Sequence, residues 1–295
     1  MFQNIWYQIG RSVVNLYVRK MMRADIHQDA PFPKGAKIIA VNHPSTNDPA
    51  FITALSQEHM TILIKETVFK VPLFGRSLRL AGHVPVVAGC GRDALEQGIR
   101  LLRAGRTVMI FPEGEISPSG GFKKPHTGVA RLALATGVPV VPVGISLDAN
   151  RVKVVVSKID GDMEPSSWYL RGPYAMTVGE PVRFTGSMDD RDHVRQVAGQ
   201  IMQHVMTLSR RGDARIAAQI RGRAASPRLA PRAALPRVLA PQLSTATPKA
   251  ALQVAWKGTW LGFQQSARLF ANTGPFRLAE SLVLFLIMFA RQLVG

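Results

Sequence analysis

A histidine and an aspartate five residues apart, His43 and Asp48, are the side chains of this sequence best suited to acid–base chemistry. Both lie in the segment 42–49, which follows the apolar run 37–41. A strand that ends in a turn presents its last side chains at the sheet edge, where loops form binding sites. An imidazole that donates one N–H to a carboxylate is held in one tautomer and becomes a better base. Because this spacing also arises by chance, the pair needs support from the rest of the chain.

A second set of polar residues follows the apolar run 107–111, which is typical of a central buried strand. The run ends in Pro112-Glu113-Gly114-Glu115, where two carboxylates flank a glycine. Such a glycine lets backbone N–H groups approach a ligand closely. The sequence contains no dinucleotide-binding glycine motif, no phosphate-binding loop and no Gly-x-Ser-x-Gly nucleophile motif.

Composition narrows the class of protein. The 295 residues are 46% apolar but carry a formal net charge of +18, which favours an anionic partner, either nucleic acid or anionic lipid. Cys90 is the only cysteine, so an internal disulfide is impossible and a secreted disulfide scaffold is not expected. Because His and Cys nowhere have zinc-ligand spacing, we predict no metal site.

Alternating apolar runs and amphipathic segments predict an α/β fold, with a mostly buried sheet flanked by helices. The predicted strands are 60–64, 83–87, 107–111, 138–145, 152–156 and 175–178, after the run 37–41. The predicted helices are 3–22, 49–57, 76–80, 93–104, 127–136 and 189–208.

Four regions are expected. Residues 1–30 contain a basic amphipathic helix that is suited to a membrane interface or to packing on the sheet, and both interpretations stay open. Residues 31–208 form the α/β domain. Residues 209–251 are rich in Arg, Ala and Pro, which favours a disordered basic linker. Residues 252–295 regain hydrophobicity and are predicted to contain membrane-associating helices.

The uncharged part of that last region is short. Residues 281–290 would form only about 15 Å of helix, half of a bilayer core. We therefore favour a monotopic or re-entrant anchor over a membrane-spanning helix.

Three motifs occur in a fixed order along the chain: Asn-His-x-x-x-x-Asp at 42–48, Phe-Pro-Glu-Gly at 111–114 and Val-Pro-Val-Val-Pro-Val-Gly-Ile at 138–145. Together with Lys-Glu at 65–66 and Thr-Val-Gly-Glu-Pro at 177–181, this order resembles the glycerolipid acyltransferases, the lysophosphatidic acid acyltransferase-like family. The resemblance covers about residues 1–208. It implies a glycerol-3-phosphate acyltransferase-like fold acting on acyl-CoA or acyl-carrier protein and a lysolipid, at an anionic membrane surface.

The resemblance also implies roles for individual residues. His43 would be the general base that takes the proton of the acceptor hydroxyl, and Asp48 would orient it; no protein nucleophile and no cofactor beyond the acyl carrier are needed. Glu113 and Gly114 would shape the acceptor pocket. The other residues assigned to acceptor or substrate binding are Asn42, Ser45, Lys65, Lys123, Lys124 and Pro142. A peripheral or monotopic location at the cytoplasmic face of the cell membrane follows.

Two departures from the family pattern concern the acceptor. Where the family often has Gly-x-Ile-Pro-Val-Asp-Arg, residues 82–88 read Gly-His-Val-Pro-Val-Val-Ala, and Glu-Gly-Thr-Arg-Ser has become Glu-Gly-Glu-Ile-Ser at 113–117. Both changes remove an arginine, a residue well suited to gripping phosphate. A 1-acyl-glycerol-3-phosphate-like acceptor and a non-phosphate acceptor, such as a lyso-aminolipid or glycolipid, both stay open. The alternatives of another class are a non-catalytic lipid-binding protein and a nucleic-acid-binding protein.

Overall fold

A seven-stranded mixed sheet forms the centre of the computed structural model, which describes residues 2–71, 74–117, 121–159 and 162–225. The strand order is β1-β9-β6-β2-β5-β3-β4, with β7 and β8 in a separate hairpin. The strands are β1 Asp25–Gln28, β2 Lys37–Val41, β3 Met60–Lys65, β4 Val84–Val86, β5 Thr107–Ile110, β6 Val140–Leu147, β7 Lys153–Ile159, β8 Asp162–Trp168 and β9 Tyr174–Val178. The predicted α/β fold is confirmed.

Helices cover both faces of the sheet, because successive side chains of a strand point to opposite sides. Ile39 and Val41 of the central strand join one apolar core, and Ile38 and Ala40 join the other. The helices are α1 Phe2–Leu16, α2 Asp48–Phe51, α3 Glu66–Phe69, α4 Phe74–Leu80, α5 Gly91–Arg103, α6 Gly128–Thr136 and α7 Arg191–Ala225. Residues of α2 and of the turn after α1 pack in the first core, and residues of α5, α6 and α7 in the second.

Strand direction places the ends of the central strands at one edge. The strand β2 is parallel to β5 and β6, and β3 is parallel to both β5 and β4. Within the described part of this sheet, the one antiparallel pair is β6 with β9, and β1 is parallel to β9. Loops that follow the carboxyl ends of parallel strands meet at the same edge, which is where a site is expected in an α/β sheet.

The N-terminal helix has one packed face and one exposed apolar face. Trp6 and Tyr7 are buried, and the Trp6 indole N–H donates to Ser77 Oγ at 3.1 Å. On the other face, Ile5, Ile9 and Leu16 expose 50%, 38% and 61% of their surface. The packing interpretation of this helix is therefore confirmed for one face, whereas the exposed apolar face needs a different explanation.

The predicted linker boundary at residue 209 is wrong, because α7 continues to Ala225. The hydroxyl of Ser209 donates to the carbonyl of Ile145 in β6 at 2.8 Å. Arg211 forms two hydrogen bonds of 2.6 and 2.7 Å with Asp29, directly after β1. Composition favours disorder here, but it cannot show that these polar and basic side chains find partners on the sheet. The rest of the predicted linker, 226–251, and the segment 252–295 lie outside the described residues.

Three smaller predictions also change. The helix expected over 49–57 is the short α2 followed by a 3₁₀ turn at Ile52–Leu55. The strand expected at 152–156 leaves the main sheet and pairs with β8, which the sequence did not predict. No helix within the described part of the chain combines the length and apolar content that a membrane crossing requires.

Candidate active site

His43 and Asp48 are in contact just beyond the carboxyl end of β2, the middle strand of the sheet. The Nδ1 atom of His43 lies 3.2 Å from Asp48 Oδ2, and the imidazole stacks on the ring of Phe111 with centroids 4.1 Å apart. The Asp48 side chain is fully buried, whereas the His43 side chain is 15% exposed. Because Nδ1 faces the carboxylate, Nε2 is the nitrogen that can meet a substrate.

The buried charge of Asp48 is compensated by three further donors. The backbone N–H of Ser45 donates to Oδ2 at 2.6 Å, and the Ser45 hydroxyl donates to Oδ1 at 2.6 Å. The phenol of Tyr174 in β9 donates to Oδ1 at 2.8 Å. Burial raises the pKa of Tyr174 well above its usual value, and the charge of Asp48 raises it further, so the phenol stays protonated and donates. These contacts satisfy a carboxylate that would otherwise be costly to bury.

The turn that carries the pair is fixed to β6 by Asn42. The Asn42 amide accepts from the backbone N–H of Ile145 at 2.7 Å and donates to its carbonyl at 2.9 Å. Asn42 is buried, and Ser45 is buried with both of its donors directed at Asp48. The described contacts of Asn42 and Ser45 position the turn, and the assignment of these residues to substrate binding stays a prediction.

The β7–β8 hairpin holds the same turn from another side. The N–H of Thr46 donates to the carbonyl of Ser167 at 2.7 Å, and the Thr46 hydroxyl accepts from the N–H of Ser167 at 2.9 Å. Asn47 Oδ1 accepts from the N–H of Tyr169 at 2.8 Å. The turn is thus paired with a strand that is more than a hundred residues away in sequence.

Glu113 organises the loop after β5. Its carboxylate is 1% exposed and accepts from the Ser117 hydroxyl and from the backbone N–H of Lys123, both at 2.7 Å. It also lies 3.4 Å from the backbone N of His43, and the N–H of Ser117 donates to the His43 carbonyl at 2.8 Å. Glu113 therefore holds the loop against the histidine, and its carboxylate faces protein donors.

The backbone conformation and the close contact with His126 require a glycine at position 114. Its φ of +71° is rarely adopted by other residues, and a Cβ there would lie 2.8 Å from Cδ2 of His126. The N–H of His126 donates to the carbonyl of Pro112 at 2.8 Å, which keeps the two ends of the loop together.

The predicted basic residues differ in their positions. Lys65 is exposed as the last residue of β3, and Lys124 is exposed in the loop before α6. Lys123 Nζ lies 2.8 Å from Glu115 Oε1. That hydrogen bond and the charge of Lys123 hold the pKa of Glu115 below its usual value, and the charges of His126 and Lys65 act in the same direction.

Pro142 does not belong to this group. It is buried in β6 opposite Ala40, and its carbonyl accepts from the N–H of Gly179 at 2.9 Å. It lies level with the next-to-last residue of β2, and its assignment to the acceptor pocket stays a prediction.

Sequence reasoning missed the roles of Tyr174, Ser117 and His126. Tyr174 lies 126 residues from Asp48, and no local pattern connects them. Among the described residues, no group of three or more His, Cys, Asp or Glu side chains could hold a metal ion.

Comparisons with known proteins show what the segment that carries the site is similar to. Residues 23–146, which contain the His43–Asp48 turn and the Glu113 loop, match the family model described as Acyltransferase. The chain is similar to the acyltransferase family through this segment, which makes up less than half of its length. The resemblance drawn from the three motifs is confirmed.

Relatives narrow the comparison. The 1-acyl-sn-glycerol-3-phosphate acyltransferase of Pseudomonas aeruginosa is 28% identical over 54% of this chain and 62% of its own length. The chloroplastic 1-acyl-sn-glycerol-3-phosphate acyltransferase BAT2 of Brassica napus is 33% identical over 35% and 30%, respectively. The lyso-ornithine lipid O-acyltransferase of P. aeruginosa is 30% identical over 44% and 50%. The chain thus spans less than two thirds of each of these relatives.

A solved structure was also matched: the 1-acyl-sn-glycerophosphate acyltransferase PlsC from Thermotoga maritima. The sequences are 21% identical, the TM-score is 0.48, and the match covers 68% of this chain and 78% of that one.

Proposed function

We propose that this protein transfers a fatty acyl group from an acyl thioester, acyl-CoA or acyl-carrier protein, to the hydroxyl of a lysolipid. The observation that carries the proposal is the His43–Asp48 contact of 3.2 Å at the carboxyl edge of the sheet, inside the segment that matches the acyltransferase family. The names of the relatives, which include acceptors with a free hydroxyl on a lipid, support it.

In the proposed reaction, Nε2 of His43 takes the proton of the acceptor hydroxyl as its oxygen attacks the thioester carbonyl. The tetrahedral intermediate then expels the thiolate, the new ester remains on the lipid, and the imidazolium returns its proton to the thiolate. Asp48 stabilises the imidazolium while it exists. A positioned base of this kind contributes about 10²–10⁴-fold to a rate.

Two acceptor classes are candidates for the hydroxyl. The names of several relatives favour 1-acyl-glycerol-3-phosphate. A lyso-aminolipid is favoured by a feature of this chain: Ala88 and Ile116 stand where the resembling family has arginines. The name of the lyso-ornithine lipid relative agrees with this second candidate.

We further propose that the protein acts at the cytoplasmic side of an anionic membrane as a peripheral protein; the exposed face of α1 supports the contact with the membrane surface. Ile5, Ile9 and Leu16 recur at helical spacing on that face, and Arg19 and Lys20 are exposed just beyond it. An apolar stripe next to basic residues is suited to the boundary between lipid headgroups and acyl chains.

The test is acyl transfer from labelled acyl-CoA and acyl-carrier protein to each candidate acceptor, presented in vesicles. We expect free thiol and acylated lipid to form in equal amounts. Thiol release without acylated lipid would contradict the proposal and indicate a hydrolase. Binding of lysolipid without turnover of any acceptor would indicate a non-catalytic lipid-binding protein.

A further inference from the structure

We propose that the acceptor headgroup is recognised as a zwitterion, by a charged cluster that consists of Glu115, Lys123, His126 and Lys65. The ligand class is a lysolipid whose headgroup carries one ammonium and one singly charged anion. This inference rests on the function proposed above, because it assigns the headgroup end of the same acceptor site.

The sheet places the cluster beside the base. The neighbouring parallel strands β2, β5 and β3 end at the same edge, in that order. His43 follows β2, Glu115 lies in the loop after β5, and Lys65 is the last residue of β3. An acceptor hydroxyl at His43 would therefore have its headgroup directed along this edge, over the ends of β5 and β3.

The loop that carries Glu115 is joined to the base through its backbone. The N–H of Ser117 donates to the His43 carbonyl at 2.8 Å, and Glu113 bonds to the Ser117 hydroxyl and to the N–H of Lys123. Glu115 and Lys123 are thus held by the residues that also hold His43. His126 lies over Gly114, where a Cβ would be 3.1 Å from its Nε2.

The charges of the cluster suit a headgroup with both signs. Glu115 and Lys123 pair at 2.8 Å while their side chains remain 66% and 36% exposed, so a ligand can reach both. An incoming ammonium can take the carboxylate as its partner, and an incoming anion can take the Lys123 ammonium. The Glu115 carboxylate and the Lys123 ammonium then each keep a partner of opposite charge, which lowers the cost of burying them under a lipid.

A phosphate monoester headgroup would fit beside Glu115 less well than a zwitterion. Its second negative charge would lie close to the Glu115 carboxylate, and like charges in proximity discriminate against a ligand. The two positions where the resembling family has arginines are Ala88 and Ile116, so no guanidinium compensates there. Val87, next to the first of them, is 39% exposed at the end of β4.

The experiment compares kcat/KM for three acceptors: lyso-ornithine lipid, lysophosphatidylethanolamine and 1-acyl-glycerol-3-phosphate. The first two are zwitterions with a carboxylate and a phosphodiester, respectively, and their ratio distinguishes the two sources of the anion. The variants are Glu115→Gln and the control Asp192→Asn, which removes another exposed carboxylate paired at 2.8 Å, with Arg195 in α7.

We expect the unmodified protein to prefer at least one zwitterionic acceptor over 1-acyl-glycerol-3-phosphate. Glu115→Gln should lower kcat/KM for that acceptor about tenfold or more, since it removes a charged hydrogen-bond partner. For 1-acyl-glycerol-3-phosphate, kcat/KM should stay equal or rise. Asp192→Asn should leave kcat/KM unchanged for all three acceptors.

Two outcomes would overturn the inference. The assignment of the headgroup site is wrong, while the acyltransferase function stands, if Glu115→Gln lowers kcat/KM by the same factor for all acceptors. The same conclusion follows if the unmodified protein prefers 1-acyl-glycerol-3-phosphate. If the unmodified protein acylates none of the three acceptors, the proposed function fails and this inference fails with it.

Discussion

At the scale of single residues, the hydrogen bonds around Asp48 decide how firmly the imidazole of His43, the proposed base, is held. Ser45 and Tyr174 donate to its carboxylate, and Nδ1 of His43 lies 3.2 Å from its Oδ2 atom. A carboxylate fixed by several donors cannot rotate freely, so it holds the imidazole in one orientation. Removing one donor should therefore change the rate more than it changes the binding of substrates.

Tyr174→Phe tests this effect. We expect kcat to fall about tenfold because one charged hydrogen bond to Asp48 is lost, with KM for the acyl thioester nearly unchanged. Steady-state kinetics and thermal unfolding are the measurements. Tyr169→Phe is the matched control: that phenol is equally buried, but it donates to the Pro173 carbonyl at 2.5 Å. Equal losses of kcat in both variants would contradict a specific role for Tyr174.

His83 gives the fold a pH dependence. It is half-buried, its Nδ1 accepts from the N–H of Ile62 at 3.3 Å, and desolvation together with the charge of His59 lowers its pKa from 6.5 to about 3. The unfolded chain therefore binds a proton at His83 that the folded chain does not bind. The contribution of neutral His83 to the free energy of unfolding is complete above pH 6.5 and declines as the pH falls toward 3. Urea denaturation should show a loss of about 2 kcal/mol between pH 6.5 and pH 5.

In His83→Gln this decline should be smaller, because the amide oxygen can accept from Ile62 but does not titrate. Parallel pH profiles for the two proteins would show that His83 is not the cause.

At the scale of elements, the central strands and the ends of β2 and β5 could be predicted from sequence because their runs are short and apolar. The strand β8 could not, since residues 162–168 contain Asp, Glu and Pro and no alternation of apolar side chains. The second half of α7 was missed for a related reason. Its Arg211 and Arg215 suggest a solvated segment, but they pair with Asp29 and Asp25 beside the sheet.

The candidate site divides in the same way. His43, Asp48 and Glu113 lie within a few residues of the ends of β2 and β5, so the pattern of the sequence indicated where they stand. The roles of Tyr174 and of the hairpin partner Ser167 depend on contacts across more than 120 residues, and no single-sequence pattern shows such contacts.

Two glycines of α7 test whether its second half packs on the sheet. A Cβ at Gly212 would lie 2.4 Å from Ser146 Oγ in β6, whereas a Cβ at Gly199 has nothing within 4 Å. We expect Gly212→Ala to lower the free energy of unfolding by about 1–3 kcal/mol through overpacking. Gly199→Ala should raise it by up to about 1 kcal/mol, because alanine favours helix. If chemical denaturation shows equal stability, residues near 212 do not pack as described.

At the scale of the whole molecule, the proposed contact with an anionic lipid surface rests on the net charge of +18 and on the exposed face of α1. Replacing Ile5, Ile9 and Leu16 together by serine should weaken flotation with anionic liposomes by several-fold, since the stripe supplies buried apolar area. Ser12 is exposed between Ile9 and Leu16 on this face. Ser12→Leu extends the stripe and should strengthen flotation.

Unchanged flotation in both variants would place the lipid contact elsewhere on the chain. A DNA retention assay at the same physiological salt completes the comparison. Retention of DNA that exceeds liposome binding would favour a nucleic-acid partner for the basic charge.

The most direct test of the central claim is the initial rate of acyl transfer in His43→Ala, measured as acylated lipid formed. His204→Ala is the matched control, because His204 is exposed on α7. With His43 as the general base, His43→Ala should lose at least about 10²-fold in rate while it keeps the melting temperature of the unmodified protein. His204→Ala should keep both its rate and its melting temperature. Retention of the full rate by His43→Ala would contradict the assignment of the base and the mechanism that depends on it.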